Sequence, residues 1–270
     1  MAPAWLTVVA WIYLSMCFGC AGAIAWDIVV NGRRQPMGVM NAVFPITAVY
    51  FGPLALAFYW RWGRTARGPS TASVPVSRES ASEAARTPAG GRPQMDVAGA
   101  THASYGMTGE GGARASTTTE KPRWAMMATE VSHCGSGCAL GDVISEFVIF
   151  ALALTIAGTT LGAEYIGDYV LALGFGIVFQ YFAIAPMRGL GVRDGLKAAA
   201  KADFISLTFF EVGLFAWMAV MAFVLFPAPH HLTAGSASFW FLMQIGMIVG
   251  YATSWPANVW LINRGIKIPM

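Results

Sequence analysis

The sequence predicts an all-α, polytopic membrane protein with about six transmembrane helices. Of its 270 residues, 56% are hydrophobic and only 11% are charged, whereas a soluble domain has about 25% charged residues. Six apolar segments approach the ~20 residues that a helix needs to cross a bilayer. The alternating pattern of a membrane β-barrel does not occur. Lipid is therefore the expected solvent, and the small net charge of +3, without a basic stripe, predicts no nucleic-acid partner.

The predicted spans are separated by short loops, with one long gap after the second. They are Trp5–Trp26, Val39–Trp60, Val143–Ala163, Tyr169–Ala185, Phe204–Phe226 and Phe239–Ile262. No basic residue precedes the first span, and its apolar run exceeds the ~7–15 residues of a signal-peptide core, so we expect it to be retained. Pro45, Pro53 and Pro256 fall inside spans, where we expect kinks.

The long gap is rich in Ala, Gly, Ser, Thr and Pro. Such a composition cannot bury enough apolar surface to offset the entropy of ordering. We therefore predict three parts: an N-terminal transmembrane hairpin over residues 1–62, a disordered cytoplasmic linker over 63–125, and a four-helix transmembrane domain over 126–270.

Orientation follows from the basic residues, because short loops rich in Arg and Lys stay on the cytoplasmic side. Three groups fall on one side of a six-span topology: Arg61, Arg64 and Arg67; Arg188, Arg193, Lys197 and Lys201; and Arg264 and Lys267. This predicts that both termini are cytoplasmic, in the cytoplasmic membrane of a bacterium or archaeon. Arg33 and Arg34 oppose the prediction, since they lie between the first two spans.

The densest polar run extends from Thr129 to Glu146 and leads into the third predicted span. Its side chains His133, Cys134 and Cys138 form a soft donor set of the kind that binds Cu(I) or Zn(II). Because two glycines weaken a helix here, a loop that folds these side chains together is an alternative to a helix. In the first span, Cys17 and Cys20 offer further thiol ligands, although cysteine is also a common small apolar residue in helices.

Polar residues inside the spans are the second signal, because each is costly in lipid unless it faces a partner or a watery cavity. They suggest an ion pathway formed by Asp142, Glu146, Gln180, Glu211 and Gln244. The alternative is that these side chains form hydrogen bonds between helices, worth about 0.6 to 2 kcal/mol each. Arg188, Lys201 and Asp203 are expected near the cytoplasmic mouth as ion-pair partners.

Other methionines and histidines are weaker candidates for metal ligands. Core packing accounts for Met218, Met221, Met243 and Met247, and His230 and His231 in an outer loop could bind a metal or be exposed. Phosphate-binding loops, dinucleotide fingerprints and histidines deep in spans do not occur, so we expect neither nucleotide nor haem.

These features predict a protein that handles a soft metal ion, Cu(I) or Zn(II), by transport or permeation along a polar axis. A thiol–disulfide oxidoreductase that uses the pairs Cys17/Cys20 and Cys134/Cys138 is an alternative, as is a non-catalytic assembly subunit. The expected partners are the lipid bilayer and the metal ion, and a homo-oligomer is left open.

Four segments also resemble a known family: Met40–Leu56, His133–Asp142, Phe179–Gly189 and Phe210–Met218. They are similar to an uncharacterised prokaryotic membrane family, domain-of-unknown-function family 4396. The resemblance covers most of the chain outside the linker. It implies a membrane protein with a four-span C-terminal unit, and it implies no activity.

Overall fold

The apolar segments fold as helices. The computed structural model describes residues 2–65, 121–188 and 191–267, so most of the predicted linker, with Arg67, lies outside the described residues. The helices are α1 (Ala4–Val29), α2 (Met40–Phe51), α3 (Pro53–Phe58), α4 (Arg123–Leu152), α5 (Thr160–Arg188), α6 (Val192–Val220) and α7 (Ala237–Asn263). Single π-helical turns, Tyr59–Gly63 and Met221–Leu225, extend α3 and α6. The all-α prediction is confirmed.

Among the described residues, four helices are long and apolar enough to cross a membrane: α1, α4, α5, and α6 with its π-helical turn. The fifth long helix, α7, has a similar length of 27 residues and contains Pro256. Among the described residues this gives five helices of spanning length, where the sequence predicts six. The missing one is the predicted span Val39–Trp60.

Residues 40–63 form a helical hairpin that enters the bundle and returns to the same end. Gly52 makes the turn with a φ of 55°, a value that favours glycine, and Pro53 begins the second arm. The two arms pack together, with the rings of Phe44 and Tyr59 5.3 Å apart. The tip reaches the middle of α1, because a Cβ on Gly52 would lie 2.9 Å from Sγ of Cys17.

Both ends of this re-entrant hairpin are fixed near Asp27, at the end of α1. Nε and Nη2 of Arg64 donate to the Asp27 carboxylate at 2.9 and 2.8 Å, and Nε of Arg33 lies 3.7 Å from Oδ1 of Asp27. Arg33 also donates to the carbonyl of Thr65. The basic residues before and after the hairpin therefore lie at one end of the bundle, which removes the conflict that Arg33 and Arg34 create in a six-span topology.

The five long helices alternate in direction, so that α1 and α7 begin at the same end. Oγ1 of Thr7 and Oγ of Ser238 are 3.3 Å apart near the two helix starts, and Lys267, beyond the end of α7, contacts residues of α4 and α6 near their starts. The first and last described residues thus lie at opposite ends of the bundle, unlike in the predicted topology.

The two ends differ in charge. We call one the basic end, because it holds every Arg and Lys whose side chain the structure describes: Arg33, Arg34, Arg61, Arg64, Lys121, Arg123, Arg193, Lys197, Lys201, Arg264 and Lys267. We call the other the neutral end. Its two loops, residues 153–159 and 226–236, contain no Arg or Lys.

The third predicted span, Val143–Ala163, is displaced along the chain. Helix α4 begins twenty residues earlier, at Arg123, and ends at Leu152, where Ala153 takes a left-handed φ of 48°. Helix α5 likewise begins at Thr160, before the predicted Tyr169. As a result, the segment His133–Glu146 is helical and lies within a spanning helix, and the loop alternative is wrong.

The hairpin can be tested by labelling single cysteines with a membrane-impermeant maleimide. Gly38→Cys and Thr65→Cys should react from one side of the membrane and Thr233→Cys from the other, because the first two flank the hairpin at the basic end. The native cysteines are buried and should contribute little background. If Gly38→Cys reacts together with Thr233→Cys, the segment spans the membrane and the hairpin is wrong.

Candidate functional site

One face of α4 carries polar residues along most of its length. Glu130, Cys134, Cys138, Asp142 and Glu146 recur every four residues and are at most 2% exposed. Because residues four apart share a helix face, they form one stripe. The sixteen residue steps from the first to the last correspond to about 24 Å of helix, most of the ~30 Å hydrocarbon core.

Carboxyl groups from α5 and α6 join this stripe. We call the combined set the carboxyl row: Glu130, Asp142 and Glu146 on α4, Asp168 on α5, and Asp203 and Glu211 on α6. All six are buried. The row runs from Glu130 and Asp203, near the basic end, to Glu146 and Asp168, nearer the neutral end.

At the basic end, the ammonium of Lys267 forms ion pairs with the carboxyl groups of the row. Nζ lies 2.9 Å from Oε1 of Glu130 and 3.0 Å from Oδ1 of Asp203. It also donates to Sγ of Cys134 at 2.8 Å and to Oδ1 of Asn258 at 3.0 Å. The Cys134 thiol in turn donates to Oδ1 of Asp203 at 2.7 Å. One cation is thus held by four side chains from three helices.

Lys267 lies beyond the end of α7, yet its side chain is only 1% exposed. Burial alone lowers the pKa of an ammonium, but the nearby Asp203 carboxylate, with the Cys134 and Glu130 side chains, outweighs burial and holds the pKa of Lys267 well above its usual range. The lysine therefore stays charged, and two carboxylates share its charge.

In the middle of the bundle, the hairpin tip meets the carboxyl row. Tyr50 is fully buried and packs with Cys138 and Phe210. Its hydroxyl faces Gly135, where a Cβ would lie only 3.1 Å away, and it has no hydrogen-bond partner among the described groups. The tip thus places a phenol beside the two α4 thiols, between the two ends of the row.

Towards the neutral end, the described part of the chain places no counter-charge beside the row. Among the described side chains, no Lys, Arg or His nitrogen forms an ion pair with Asp142, Glu146, Asp168 or Glu211. Neither carboxyl oxygen of Asp142, Asp168 or Glu211 has a hydrogen-bond partner there. Buried carboxylates in such surroundings are strongly disfavoured, so these groups favour the protonated form or a bound cation.

The predicted metal ligands of α4 do not converge. Cys134 is held by Lys267 and Asp203, whereas Cys138 packs in the core beside Tyr50. His133 is fully buried, its ring centroid is 6.2 Å from that of Phe179, and neither ring nitrogen has a described partner. Within residues 2–65, 121–188 and 191–267, no three His, Cys, Asp or Glu side chains are grouped so as to hold a metal. Binding of Cu(I) or Zn(II) by His133, Cys134 and Cys138 stays a prediction.

The second predicted thiol pair lies elsewhere. Cys17 packs against Gly52 of the hairpin, and Cys20 belongs to a core cluster with Ile24 and Ala48. All four cysteines are free and buried. The structure therefore places Cys17 and Cys20 along α1 and does not pair them with the α4 thiols.

The predicted polar partners have mixed outcomes. Gln244 donates to the carbonyl of Val49 and so holds the hairpin tip against α7. Gln180 is buried, and its Oε1 has no partner among the described groups. Asp203 pairs with Lys267 and not with Lys201, which is exposed. The side chain of Arg188 lies outside the described residues.

Several members of the site escape the sequence prediction. The span Tyr169–Ala185 starts too late, so Asp168 falls outside it, although its spacing of four from Glu164 is a helical signal. Lys267 serves only as an orientation marker in the sequence, and Tyr50 has the character of an ordinary core aromatic. Nothing in the spacing of these two residues indicates that they reach α4.

The comparisons with known proteins identify a family and add no activity. The family described as "Domain of unknown function (DUF4396)" matches residues 123–267, from the start of α4 to Lys267. This region contains the whole carboxyl row, whereas the hairpin segment Met40–Leu56 lies outside it. No curated protein and no solved structure matches the chain. Because the match covers more than half of the sequence, the chain belongs to the DUF4396 family.

Proposed function

We propose that this protein moves cations across a membrane along the carboxyl row, and that protons are the species that the row itself carries. The observation that carries the proposal is the set of four buried carboxyl groups, Asp142, Glu146, Asp168 and Glu211, without an ion-pair partner among the described side chains. Such groups do not stabilise a purely structural core, because each costs several kcal/mol when it is charged at membrane depth.

A row of protonatable groups can pass a proton along the helix axis without a metal-binding geometry. On α4, Asp142 and Glu146 lie one helical turn apart, and Glu130 lies about three turns before them. Asp168 of α5 and Asp203 and Glu211 of α6 are the other members of the row. Glu146 and Asp168 are close enough to interact electrostatically, as are Asp142 and Glu211. Intramembrane carboxyl groups arranged in this way are typical of proton relays.

The charges at the two ends of the row indicate which end faces the cytoplasm. Since Arg and Lys collect at the basic end, the positive-inside rule makes that end cytoplasmic and the neutral end external. Lys267 would then hold the cytoplasmic mouth. The re-entrant hairpin fits a transport role, because non-helical backbone at membrane depth is tolerated where protein or a water-filled cavity surrounds it.

A soft metal ion is the second candidate for the transported cation, because Cys134 and Cys138 stand within the row. Purified protein should then bind Cu(I) or Zn(II), and Cys134→Ser with Cys138→Ser should abolish that binding. Elemental analysis of protein purified without added metal provides the first measurement. Equal metal content in the wild type and the double variant would exclude this cargo.

Proton movement can be measured in proteoliposomes that enclose a pH-sensitive dye. With a potassium gradient and valinomycin to set the membrane potential, the wild type should acidify the lumen faster than protein-free vesicles. Asp142→Asn and Glu211→Gln should each reduce the rate at least about tenfold, because an amide cannot accept and release a proton at these positions.

The matched control for this assay is Asp194→Asn, which removes an exposed carboxyl group in the first turn of α6. Its rate should equal that of the wild type. A wild-type rate no higher than that of empty vesicles, or unchanged rates in both row variants, would contradict the proposal.

A further inference from the structure

A cavity of about 330 Å³ opens at the neutral end of the bundle. The start of α5, the end of α6 with its π-helical turn, and the loop before α7 surround it. Its lining is mainly apolar and includes Leu161, Met218, Met221, Phe226 and Phe239. Neither the proton relay nor the ion pairs at the basic end use this space.

The size of the cavity indicates a molecule as its occupant. A bound metal ion is enclosed by ligand atoms at about 2.0 to 2.6 Å, which leaves no space on this scale. Cavities that bind small molecules begin at about 300 Å³ and combine apolar walls with a few polar groups. The cavity therefore fits a compact organic ligand.

The charge of the lining indicates a cation. Glu164 is the one acidic residue among the described lining residues; His231 is also among them, and none is Lys or Arg. Three phenylalanines, Phe223, Phe226 and Phe239, also line the space. Aromatic faces attract ammonium and phosphonium-type charges, most strongly when water is excluded.

The cavity is also connected to the carboxyl row. Glu164 lies one helical turn from Asp168 on α5, and its carboxyl group is close enough to Glu146 and Asp168 to interact with both electrostatically. A cation bound at Glu164 would therefore compete with protons at the outer end of the row.

We propose that this cavity binds a lipophilic organic cation, with the carboxylate of Glu164 as its counter-charge and the phenylalanine rings as its walls. The inference rests on the proposed cation transport and names its substrate class. The bound cation would be exchanged for protons that the carboxyl row delivers.

The test is equilibrium binding of radiolabelled tetraphenylphosphonium to the purified full-length protein in detergent. Glu164→Gln should weaken binding at least about tenfold, and Asp194→Asn should leave it unchanged. Ala222→Trp should also weaken binding, because residue 222 lines the cavity and a larger side chain fills it. Size-exclusion chromatography verifies that each variant is folded.

Two competitors identify the chemistry of the site. Neutral triphenylphosphine should not displace the labelled cation, whereas unlabelled tetraphenylphosphonium should. Displacement by Ag⁺ would indicate a soft-metal site formed by the Met218 and Met221 thioethers and the His231 imidazole, and it would overturn the proposal. Absence of binding, or binding that both Glu164→Gln and Ala222→Trp leave intact, would also overturn it.

The vesicle assay separates this inference from the proposed function. Proton flux that depends on Asp142 without tetraphenylphosphonium binding would refute the cavity inference alone. Binding that depends on Glu164 without proton flux would refute the carboxyl row as a relay and leave the cavity as a cation site.

Discussion

Replacing Lys267 with methionine should destabilise the protein by about 3–5 kcal/mol, the usual cost of removing one partner from a buried ion pair. The ammonium is 1% exposed and neutralises Glu130 and Asp203, which are themselves at most 1% exposed. Methionine fills a similar volume without charge, so the loss reflects the uncompensated carboxylates. Thermal unfolding in detergent, followed with a thiol-reactive dye that reports exposure of the buried cysteines, measures the change.

Two controls isolate the electrostatic cause. Lys201→Met removes an exposed lysine from α6 and should leave the unfolding temperature unchanged. The triple variant Lys267→Met, Glu130→Gln, Asp203→Asn carries no buried charge at this end and should recover most of the stability. If Lys267→Met unfolds at the same temperature as the wild type, the carboxyl groups of Glu130 and Asp203 are already neutral. The row would then not end in an ion pair with Lys267.

The sequence predicts most of the helices, but it does not predict where α4 begins. The apolar runs predict helices because only helices satisfy their backbone groups in lipid, and those predictions are confirmed for four spans by length and composition. Hydropathy misplaces the start of α4, because the polar side chains Glu130, Asp142 and Glu146 are buried inside the protein and are not exposed to lipid. The polar half of the helix is therefore predicted only as a run that leads into the span, and the predicted span is displaced toward the apolar residues that follow Asp142.

The re-entrant hairpin fails for a different reason. Its 24 residues, 40 to 63, have the length of one span, and the only local sign of a turn is Gly52 followed by Pro53. A Gly-Pro pair is also compatible with a kinked helix, so local pattern alone does not decide. The ion pair of Asp27 with Arg64 distinguishes the hairpin from a kinked span, because it brings together residues 37 positions apart in the sequence.

The close approach of α4 and α5 is the second feature on which the site depends, and it rests on small residues. Gly137 and Gly141 lie four apart on α4, opposite Gly176 and Ala172 of α5. A Cβ on Gly137 would lie 2.7 Å from the Cα of Gly176, and one on Gly141 would lie 2.6 Å from the carbonyl carbon of Leu171. Backbone atoms cannot move aside as a flexible side chain can, so a larger residue must separate the helices.

Gly141→Leu should therefore abolish the folded state, with the protein recovered as aggregate in size-exclusion chromatography. Gly174→Leu is the matched control, because nothing lies within 4 Å of a Cβ at that position of α5; it should elute as the wild type does. A monodisperse Gly141→Leu protein would contradict the described packing of the two helices.

A milder change at the same position links packing to transport. Gly141→Ala adds one methyl group, which requires the α4 and α5 backbones to separate slightly without removing any carboxyl group. Asp142 and Glu146 on α4 would then move away from Asp168 on α5, and proton transfer is sensitive to such distances. The proton flux of Gly141→Ala should fall several-fold while the protein still folds, whereas Gly174→Ala should keep the wild-type rate. Equal rates in the two alanine variants would show that the carboxyl row does not need the close approach of these helices.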